Sequence, residues 1–563
     1  KYTLWLQPRP TFISVRAYKR LPEVEGPWSA STSPWPLAAS CGDDSFLNTS
    51  NHAAASENLA NASFDFAEAM AIKEGKVVAA GTEKEITAKY SSENISRFDG
   101  YIYPGFIDAH SHFYGYSLTL QKVDLINVSS LDELIERTIT FAKTTNEAWI
   151  TGRGWDQTSW EEKGTLTNNL LNAYFPNTPV FLKRIDGHAG LANAKALELA
   201  GISVNTNMAG GTIEVQNGRL TGLLTDNAMN LIDNIIPAPS RSSEIKALLM
   251  GQQACFDAGL TTVTDAGLDL ETILLIDSLQ KTGDLKIRLY VMANPTEENW
   301  TYFEKNGPIE TDVLQVSSFK LYADGSLGSR GAKLKKSYCD HDNYTGIWVT
   351  SPELLKTYCQ RAYDMGFQVN THCIGDSANR KTLETYAELL KGENDKRWRI
   401  EHAQVVSPSD RVIFQKYSII PSVQPTHATS DMRWAQDRLC VDRMDGAYAY
   451  KSLLATNGYL PLGTDFPVEE IYPLHTFFAA VYRQNREYKP LEGFLPNEAL
   501  TTTQALLGMT LWAAKGNMME TKVGSLEKGK LADYVVLDTD ITKEKYMLRT
   551  KVLKTYLAGI LAN

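Results

Sequence analysis

Two histidines separated by one residue are the first candidates for chemistry in this chain. His110 and His112 follow the apolar segment Tyr-Pro-Gly-Phe-Ile-Asp-Ala, which has the pattern of a strand. Because residues i and i+2 of a strand share a face, both imidazoles would point to one side while Ser111 points away. Neutral imidazoles held in this way can bind a divalent metal such as Zn2+. Taken alone, the pair fits equally well with two histidines on an exposed strand edge.

Other polar residues stand at the ends of apolar segments later in the chain. His372, His402 and Asp465 close the segments Phe-Gln-Val-Asn-Thr-His, Arg-Trp-Arg-Ile-Glu-His and Tyr-Leu-Pro-Leu-Gly-Thr-Asp. Each of them alone could be a satisfied core residue. Together with the first pair they supply four imidazoles and a carboxylate, a suitable set of ligands for Zn2+ or a similar ion. The pattern therefore predicts a divalent metal cofactor, with one or two ions.

The elements that must position these residues alternate between short strands and helices. In the middle of the chain, Leu-Thr-Thr-Val-Thr-Asp-Ala-Gly is followed by a helical stretch over 270–281 and then by Ile-Arg-Leu-Tyr-Val-Met-Ala. This rhythm indicates βαβ units and hence a parallel sheet or a closed barrel. In a (β/α)8 barrel the carboxyl ends of the strands converge on one face, where active sites lie. Extra sequence at about 115–245 predicts an insertion near that face.

The two ends of the chain carry additional strands. Residues 67–81 contain two short strands around a Glu-Gly turn, which predicts a β-hairpin, and further apolar strands follow position 523. We expect residues 63–103 and 518–563 to form one small composite β-sandwich beside a barrel domain over 104–517. Residues 1–62 are rich in Pro, Ser and Asn, and we expect an irregular appendage.

Composition limits the classes of partner. The chain has 563 residues, 43% of them hydrophobic, and a net charge of -10. Its acidity disfavours nucleic acid and anionic membranes as partners, and no apolar run reaches the ~18–20 residues that span a bilayer. The six cysteines are scattered without a CxxC pair, which argues against a disulfide scaffold and a thiolate zinc site. A small-molecule substrate is therefore expected, while homo-oligomerisation stays open.

The compartment also stays open. The segment Leu-Ala-Ala-Ser before Cys41 is similar to the end of a lipoprotein signal. However, the residues before it lack the ~7–15 residue apolar core of such a signal. Cytoplasmic, periplasmic and lipid-anchored locations all remain compatible with the sequence.

The combined motifs resemble family 3 of the amidohydrolase superfamily, the YtcJ-like group that includes N-substituted formamide deformylase. The similarity covers roughly residues 66–563 and includes Gly-Arg-Gly-Trp-Asp-Gln (152–157), Leu-Lys-Arg-Ile-Asp-Gly-His-Ala (182–189) and Phe-Lys-Leu-Tyr-Ala-Asp-Gly-Ser-Leu-Gly-Ser-Arg (319–330). The resemblance implies an α/β fold, namely a distorted TIM barrel with a composite β-sandwich. It also implies hydrolysis of a non-peptide carbon–nitrogen bond in a small molecule by metal-activated hydroxide.

The resemblance assigns the metal ligands. They are His110, His112, Lys320, His372, His402 and Asp465. The first two histidines would bind one metal and the other two a second, while Asp465 would also act as general acid and base. Lys320 matches a position where relatives carry a carboxylated lysine that bridges two metals. The alternative is an ordinary lysine that pairs with Asp324 or another nearby acid, and mononuclear relatives leave the number of metals open.

Further residues are expected near the substrate. The predicted substrate contacts are Trp155, Asp156, Asp186, Arg330 and His427. His188 is predicted to be catalytic, as a residue that stabilises the developing oxyanion. A buried Asp–His pair would explain Asp186 and His188 equally well, and His427 also fits an ordinary loop histidine.

Two other functions remain open at the level of sequence. The same metal site could serve ester hydrolysis or an isomerisation, because this fold hosts many reactions. A non-catalytic periplasmic binding protein that retained the fold is the alternative from another class. The complete ligand set favours the enzyme, because a receptor needs neither a metal with an open position nor a carboxylate for proton transfer.

Overall fold

The structure is a computed structural model that describes residues 11–14, 46–48, 65–90, 94–145, 147–157, 160, 166–185, 187–543 and 547–563. Most of the predicted appendage, including Cys41, and the candidate residue Asp186 lie outside the described residues. The chain divides into two compact units, one formed by residues 1–113 and 252–563 and the other by residues 114–251.

Strands run through both units. In chain order they are β1 (Thr11–Ser14), β2 (Phe46–Asn48), β3 (Asp65–Ala67), β4 (Ala69–Lys73), β5 (Lys76–Gly81), β6 (Asn94–Ser96), β7 (Tyr101–Pro104), β8 (Phe106–Ser111), β9 (Val123–Asp124), β10 (Ile150–Trp155), β11 (Val180–Arg184), β12 (Ala189–Ala192), β13 (Gly211–Gln216), β14 (Arg219–Asp226), β15 (Leu260–Leu268), β16 (Arg288–Ala293), β17 (Ile309–Glu310), β18 (Leu314–Tyr322), β19 (Gln368–Cys373), β20 (Arg399–His402), β21 (Ile420–Ser422), β22 (Tyr534–Leu537), β23 (Val552–Leu557) and β24 (Ile560–Leu561).

Helices connect these strands. In chain order they are α1 (Glu83–Lys89), α2 (Phe113–Thr119), α3 (Leu131–Ala142), α4 (Asn169–Tyr174), α5 (Ala194–Leu199), α6 (Asn230–Asp233), α7 (Arg241–Asp257), α8 (Leu270–Thr282), α9 (Glu297–Asn306), α10 (Pro352–Met365), α11 (Asp376–Leu390), α12 (Arg411–Lys416), α13 (Pro425–Asp431), α14 (Ala435–Leu439), α15 (Tyr450–Asn457), α16 (Pro473–Tyr482), α17 (Thr502–Gly508) and α18 (Leu511–Gly516). No helix among the described residues is both long and apolar enough to cross a membrane.

A parallel barrel forms the centre of the first unit. Its strands pair in the order β21-β20-β19-β18-β16-β15-β8, and these strands are almost entirely buried. The segment around Leu462 occupies the remaining position, because it forms a parallel bridge with Val423 and its carbonyl accepts the Ala109 N–H at 3.1 Å. This nearly closed barrel confirms the predicted fold class.

Local sequence explains how the connecting helices begin and end. In α10 the hydroxyl of Ser351 accepts the N–H of Leu354, Pro352 occupies the first turn, and Gly366 ends the helix at φ 77°. A helix with such ends returns the chain to the next parallel strand, here β19 with His372. The alternation of capped helices and buried strands thus delivers one strand end after another to the same face.

Strands from both ends of the chain share one mixed sheet, in which β2 and β7 pair in parallel and the other neighbours pair antiparallel. Its order is β24-β23-β22-β7-β2-β3, and Val535 of β22 lies opposite Tyr103 of β7. A buried cluster that includes Met70, Ile102 and Val536 combines early and late segments in one core. The second sheet follows the order β5-β4-β1-β6.

The unit formed by residues 114–251 has its own sheet and core. The sheet order is β13-β14-β12-β11-β10-β9. Two hydrophobic clusters form its core. The first includes Leu134, Trp155 and Leu182, and the second includes Phe181 and Leu224.

One disulfide is present that cysteine spacing does not predict. Cys339 and Cys440 are bonded across a sequence separation of 101 residues. It joins the loop after β18 to the segment after α14, and Arg438 reinforces the link by donating from Nε to the Gly328 carbonyl at 3.1 Å. The cysteines Cys255, Cys359 and Cys373 are free and buried.

Candidate metal centre

His110 is held by a carboxylate on the neighbouring side of the barrel. It is completely buried near the end of β8, and its Nδ1 donates to Glu401 on β20. Because an ionised carboxylate can only accept, the proton lies on Nδ1 and the lone pair of Nε2 remains available. Arg399 in turn donates to Glu401 from Nε at 2.6 Å. The buried Arg399–Glu401 pair thus sets the tautomer of His110.

Asp108, two residues earlier on the same face, ties β8 to the segment that carries Asp465. Its carboxylate accepts the His110 N–H at 3.1 Å, the Thr464 N–H at 3.0 Å and the Thr464 hydroxyl at 2.7 Å. The segment can lie this close to β8 because residue 463 is a glycine. A Cβ at Gly463 would lie only 2.5 Å from the backbone nitrogen of His110.

Asp465 follows at a backbone φ of 66°. Its Oδ1 lies 3.2 Å from Nε2 of His112 and 3.7 Å from Nε2 of His110, while its Oδ2 lies 3.2 Å from Nε2 of His427. Neither of the contacts with the first two imidazoles is a hydrogen bond, so Oδ1 is buried without a donor among the described residues. One oxygen is therefore held by His427 and the other is left for a ligand.

The remaining two predicted histidines lie beside His110. The ring of His402 is 4.8 Å from that of His110 and 4.5 Å from that of His372. Nδ1 of His402 donates to Oε1 of Gln424 at 2.7 Å, which leaves Nε2 available. Nε2 of His372 is buried and has no hydrogen-bond partner among the described residues.

Lys320 completes the cluster from β18. Its side chain is buried, and Nζ lies 3.4 Å from Nε2 of His110 and 4.7 Å from the centre of the Tyr322 ring. None of the described residues forms an ion pair with it. Asp324 instead accepts the backbone N–H groups of Ile374 and Gly375, at 3.0 and 2.8 Å. The ordinary Lys320–Asp324 pair considered from the sequence does not form.

Burial and mutual charge keep the imidazoles neutral. Burial, assisted by the charge of Lys320, lowers the pKa of His110 to about 4 and that of His372 to about 3. Burial and the neighbouring His372 hold the pKa of His402 well below its usual value. Neutral imidazole is the form that binds metal, so these directions suit a ligand set.

At Asp465 and Glu401, hydrogen bonds and nearby charges outweigh the effect of burial on the pKa. Burial alone would raise the pKa of Asp465, but His112 and the hydrogen bond from His427 outweigh it and hold the pKa well below its usual value. Burial is likewise outweighed at Glu401, where the charge of Arg399 and the contact with His110 lower the pKa to about 2. The hydrogen bond to Asp465 outweighs burial at His427 and raises its pKa to about 9.

The residues brought together have the donor set of a divalent metal site. His110, His402 and Asp465 each offer one ligand atom, and these atoms lie within 4.8 Å of one another. Nε2 of His372 and Oδ1 of Asp465 are buried without a hydrogen-bond partner among the described residues. Because buried polar atoms ordinarily have a partner, these two atoms also indicate a missing ligand such as a metal ion. The residues therefore fit the metal that the sequence predicts.

Arg330, predicted to contact substrate, has a structural partner. Its guanidinium donates to both carboxylate oxygens of Asp340, at 3.0 and 2.8 Å. Arg438 also pairs with Asp340. These contacts stabilise the loop after β18, and a substrate contact of Arg330 stays a prediction.

Of the other predicted residues, His427 lies beside Asp465 in the barrel unit, and Trp155, Asp156, Asp186 and His188 belong to the unit of residues 114–251. Trp155 is completely buried in the core of that unit and donates from Nε1 to the Leu182 carbonyl at 2.9 Å. The side chain of His188 is 71% exposed and lies 2.9 Å from Oδ1 of Asp226. Asp156 is half-buried, and Asp186 lies outside the described residues. Trp155 thus acts in packing, and the functional roles of this group stay predictions.

Four residues around the metal ligands escape prediction from the sequence. They are Asp108, Arg399, Glu401 and Gln424. Asp108 stands two residues before His110, so its shared face could have drawn attention to it. Gln424 and the Arg399–Glu401 pair give no comparable signal, because their partners are distant in sequence.

Known proteins are similar to this chain over most of its length. The sequence profile of the amidohydrolase family matches residues 99–561. The protein LONG AFTER FAR-RED 3 of Arabidopsis thaliana is 32% identical, with 89% of each chain covered. YtcJ of Bacillus subtilis (strain 168), which carries the name of an amidohydrolase, is 31% identical over 84% of this chain and 92% of its own.

An enzyme and a solved structure extend the comparison. The N-substituted formamide deformylase of Arthrobacter pascens is 25% identical over 88% of this chain and 94% of its own. The crystal structure of an uncharacterized metal-dependent hydrolase from Pyrococcus horikoshii has a TM-score of 0.71 and 28% identity, and covers 86% of this chain and 95% of the other.

Proposed function

This chain belongs to the amidohydrolase family, and from that premise we propose that it is a metal-dependent hydrolase that cleaves the amide-type carbon–nitrogen bond of a small molecule. The observation that carries this proposal is the convergence of neutral imidazoles on an unpaired, buried carboxylate oxygen at the strand ends of the barrel. The names of the bacterial relatives support the choice of an amide-type bond.

The residues that would hold the metal are the predicted ones. They are His110, His112, His372, His402 and Asp465, joined by Lys320 as a carboxylated side chain if two ions bind. Carboxylation of Lys320 would replace a buried cation with an anion, which removes its repulsion toward a metal. A bound divalent metal lowers the pKa of water toward about 7 and polarises a carbonyl group.

We assign the proton transfers to Asp465. Its Oδ1 would accept a proton from the attacking water and deliver it to the nitrogen of the leaving amine as the carbon–nitrogen bond breaks. His427 holds Oδ2 and thereby fixes the direction of the carboxylate. The products are a carboxylic acid and an amine. The catalytic role predicted for His188 remains a separate prediction.

A substrate screen with metal removal and return tests this function. The purified chain is stripped of metal by a chelator, reconstituted with Zn2+, Mn2+ or no metal, and assayed with N-formyl and N-acyl amines and the matching esters. We expect amide hydrolysis that is lost on stripping and restored by metal. Turnover of esters alone would replace the proposed bond, and a chain that binds no metal would remove the metal-dependent mechanism.

A further inference from the structure

We propose that Arg399 and Glu401 form a positioning dyad, which directs Nε2 of His110 toward the metal and makes this imidazole a stronger metal ligand than that of His402. The inference rests on the proposed function, because it assumes that a metal binds at the strand ends. It assigns a role to a buried ion pair that acts on the metal only through its contact with His110.

The contact with His110 defines the first half of the dyad. Oε2 of Glu401 accepts the Nδ1 proton of His110, and both side chains are completely buried. A carboxylate behind an imidazole fixes the tautomer and the ring orientation and raises the basicity of the opposite nitrogen. That opposite nitrogen, Nε2, is the atom that faces Asp465 and Lys320.

Arg399 fixes the carboxylate in turn. It donates to both oxygens of Glu401, at 2.6 and 3.0 Å, and is completely buried itself. Its other donors reach Asn517 at 2.8 Å, the Ala109 carbonyl at 2.7 Å and Ser422 at 2.9 Å. The guanidinium thus joins β8, β20, β21 and the end of α18, so that the position of Glu401 follows from barrel closure.

The two well-supported imidazoles differ in what stands behind them. His110 donates to an ionised carboxylate, whereas His402 donates to the neutral amide of Gln424. A charged acceptor forms a stronger hydrogen bond than a neutral one. We therefore expect His110 to contribute more than His402 to the affinity for metal.

Stability alone gives little reason for such a pair. The free energy needed to remove two charges from water offsets much of their mutual attraction. Proteins with buried ion pairs are therefore often no more stable than variants with apolar side chains in their place. The barrel unit contains a second buried pair, in which Arg288 donates to Asp533 at 2.6 and 3.1 Å. No imidazole of the described residues donates to Asp533, so this pair separates the effect of losing a buried ion pair from the effect on a metal ligand.

The test compares Glu401→Gln with Asp533→Asn in the full-length protein. Zn2+ alone is the probe, and its dissociation constant is measured by competition with a chelating dye at a fixed pH. We expect Glu401→Gln to weaken zinc binding by about 10–100-fold, the range for partners of metal-binding histidines, and Asp533→Asn to leave it unchanged. Equal weakening in both variants, or none in Glu401→Gln, would overturn the proposal.

A second readout does not depend on metal. In one-dimensional proton spectra the Nδ1–H of His110 should give a resonance shifted far downfield by its carboxylate acceptor, which Asp533→Asn retains and Glu401→Gln loses. If Glu401→Gln does not fold, Glu401→Asp keeps the charge opposite Arg399 but draws the carboxylate back from His110. That variant should move the resonance and weaken zinc binding, and wild-type values for both would overturn the dyad.

Failure of the proposed function has a different signature. If the unaltered protein binds no zinc, the metal-dependent function fails. If it binds zinc and Glu401→Gln binds as tightly, the function stands and the positioning role of the dyad falls.

Discussion

The barrel and the unit of residues 114–251 both contain paired Asp and His side chains, but in different surroundings. In the barrel, Asp465 is 5% exposed and lies between imidazoles, with one oxygen unpaired. In the other unit, His188 and Asp226 form a contact with side chains that are 71% and 53% exposed. The groups in the barrel are removed from water, whereas His188 and Asp226 remain in contact with solvent.

An Asp–His pair becomes a candidate active site where its groups are buried together. Strand ends of a parallel barrel place several polar groups in one dry space, so each group alters the charge of its neighbours. An exposed pair in water interacts weakly, because the solvent screens it. Perturbed ionisation clusters at functional sites, as it does at Asp465 and the imidazoles around it in the barrel.

The largest expected effect is at Asp465. Asp465→Asn keeps the shape of the side chain but removes its ability to carry a proton, so we expect kcat/KM to fall by about 10²–10⁴-fold while most of the zinc stays bound. Steady-state hydrolysis and metal content measure the two effects. Asp226→Asn is the matched control in the other unit and should change neither by as much as tenfold. Full activity in Asp465→Asn would remove Asp465 from the mechanism.

Lys320→Ala should reduce metal binding. Loss of a group that only supports a ligand already costs about 10–100-fold in affinity, so we expect zinc to bind at least about tenfold more weakly. A short carboxylic acid added to the buffer should restore part of the bound metal by occupying the vacated space. Lys183→Ala, which removes an ion pair with Asp233 in the other unit, is the control. Unchanged metal content in Lys320→Ala would exclude a bridging role.

The disulfide of the barrel unit should contribute a large share of its stability. Removing Cys339–Cys440, with both cysteines changed to Ser, frees a loop of 101 residues, and we expect the free energy of unfolding to fall by about 2–5 kcal/mol. Chemical denaturation of the oxidised, reduced and substituted proteins gives the measurement. If all three unfold at the same denaturant concentration, the bond does not constrain the unfolded chain.

Trp155→Phe distinguishes packing from substrate contact in the other unit. The change leaves the buried Leu182 carbonyl without its donor, so we expect a loss of about 1–3 kcal/mol in stability with KM unchanged. Denaturation and steady-state kinetics provide both numbers. A raised KM at unchanged stability would restore Trp155 to the substrate contacts.

The smallest effect is expected at His188. Because its side chain is exposed, His188→Ala should change the stability by no more than about 0.5 kcal/mol. We expect kcat/KM to fall by less than about tenfold, below the range of a general acid or base. A loss of a hundredfold or more with normal zinc content would show that this exposed histidine is catalytic.

The amino-acid sequence by itself predicts the fold class, which the structure confirms, and a set of candidate metal ligands, which stays a prediction. The βαβ rhythm requires parallel strands, and polar residues that follow buried strands must meet at their carboxyl ends. For this reason His110, His372, His402 and Asp465 could be selected although they are spread over the whole barrel, whereas the choice of Lys320 depends on the family resemblance.

Only the tertiary structure decided which atom of each residue is left for a ligand. Successive side chains of a strand point to opposite faces, yet Glu401 and His402 both approach His110, and His402 lies at φ 71°. The partner of each imidazole comes from a strand or loop distant in sequence, such as Glu401 for His110 and Gln424 for His402. Spacing encodes the direction of a side chain within its own strand, whereas burial and hydrogen-bond partners arise only when the barrel closes.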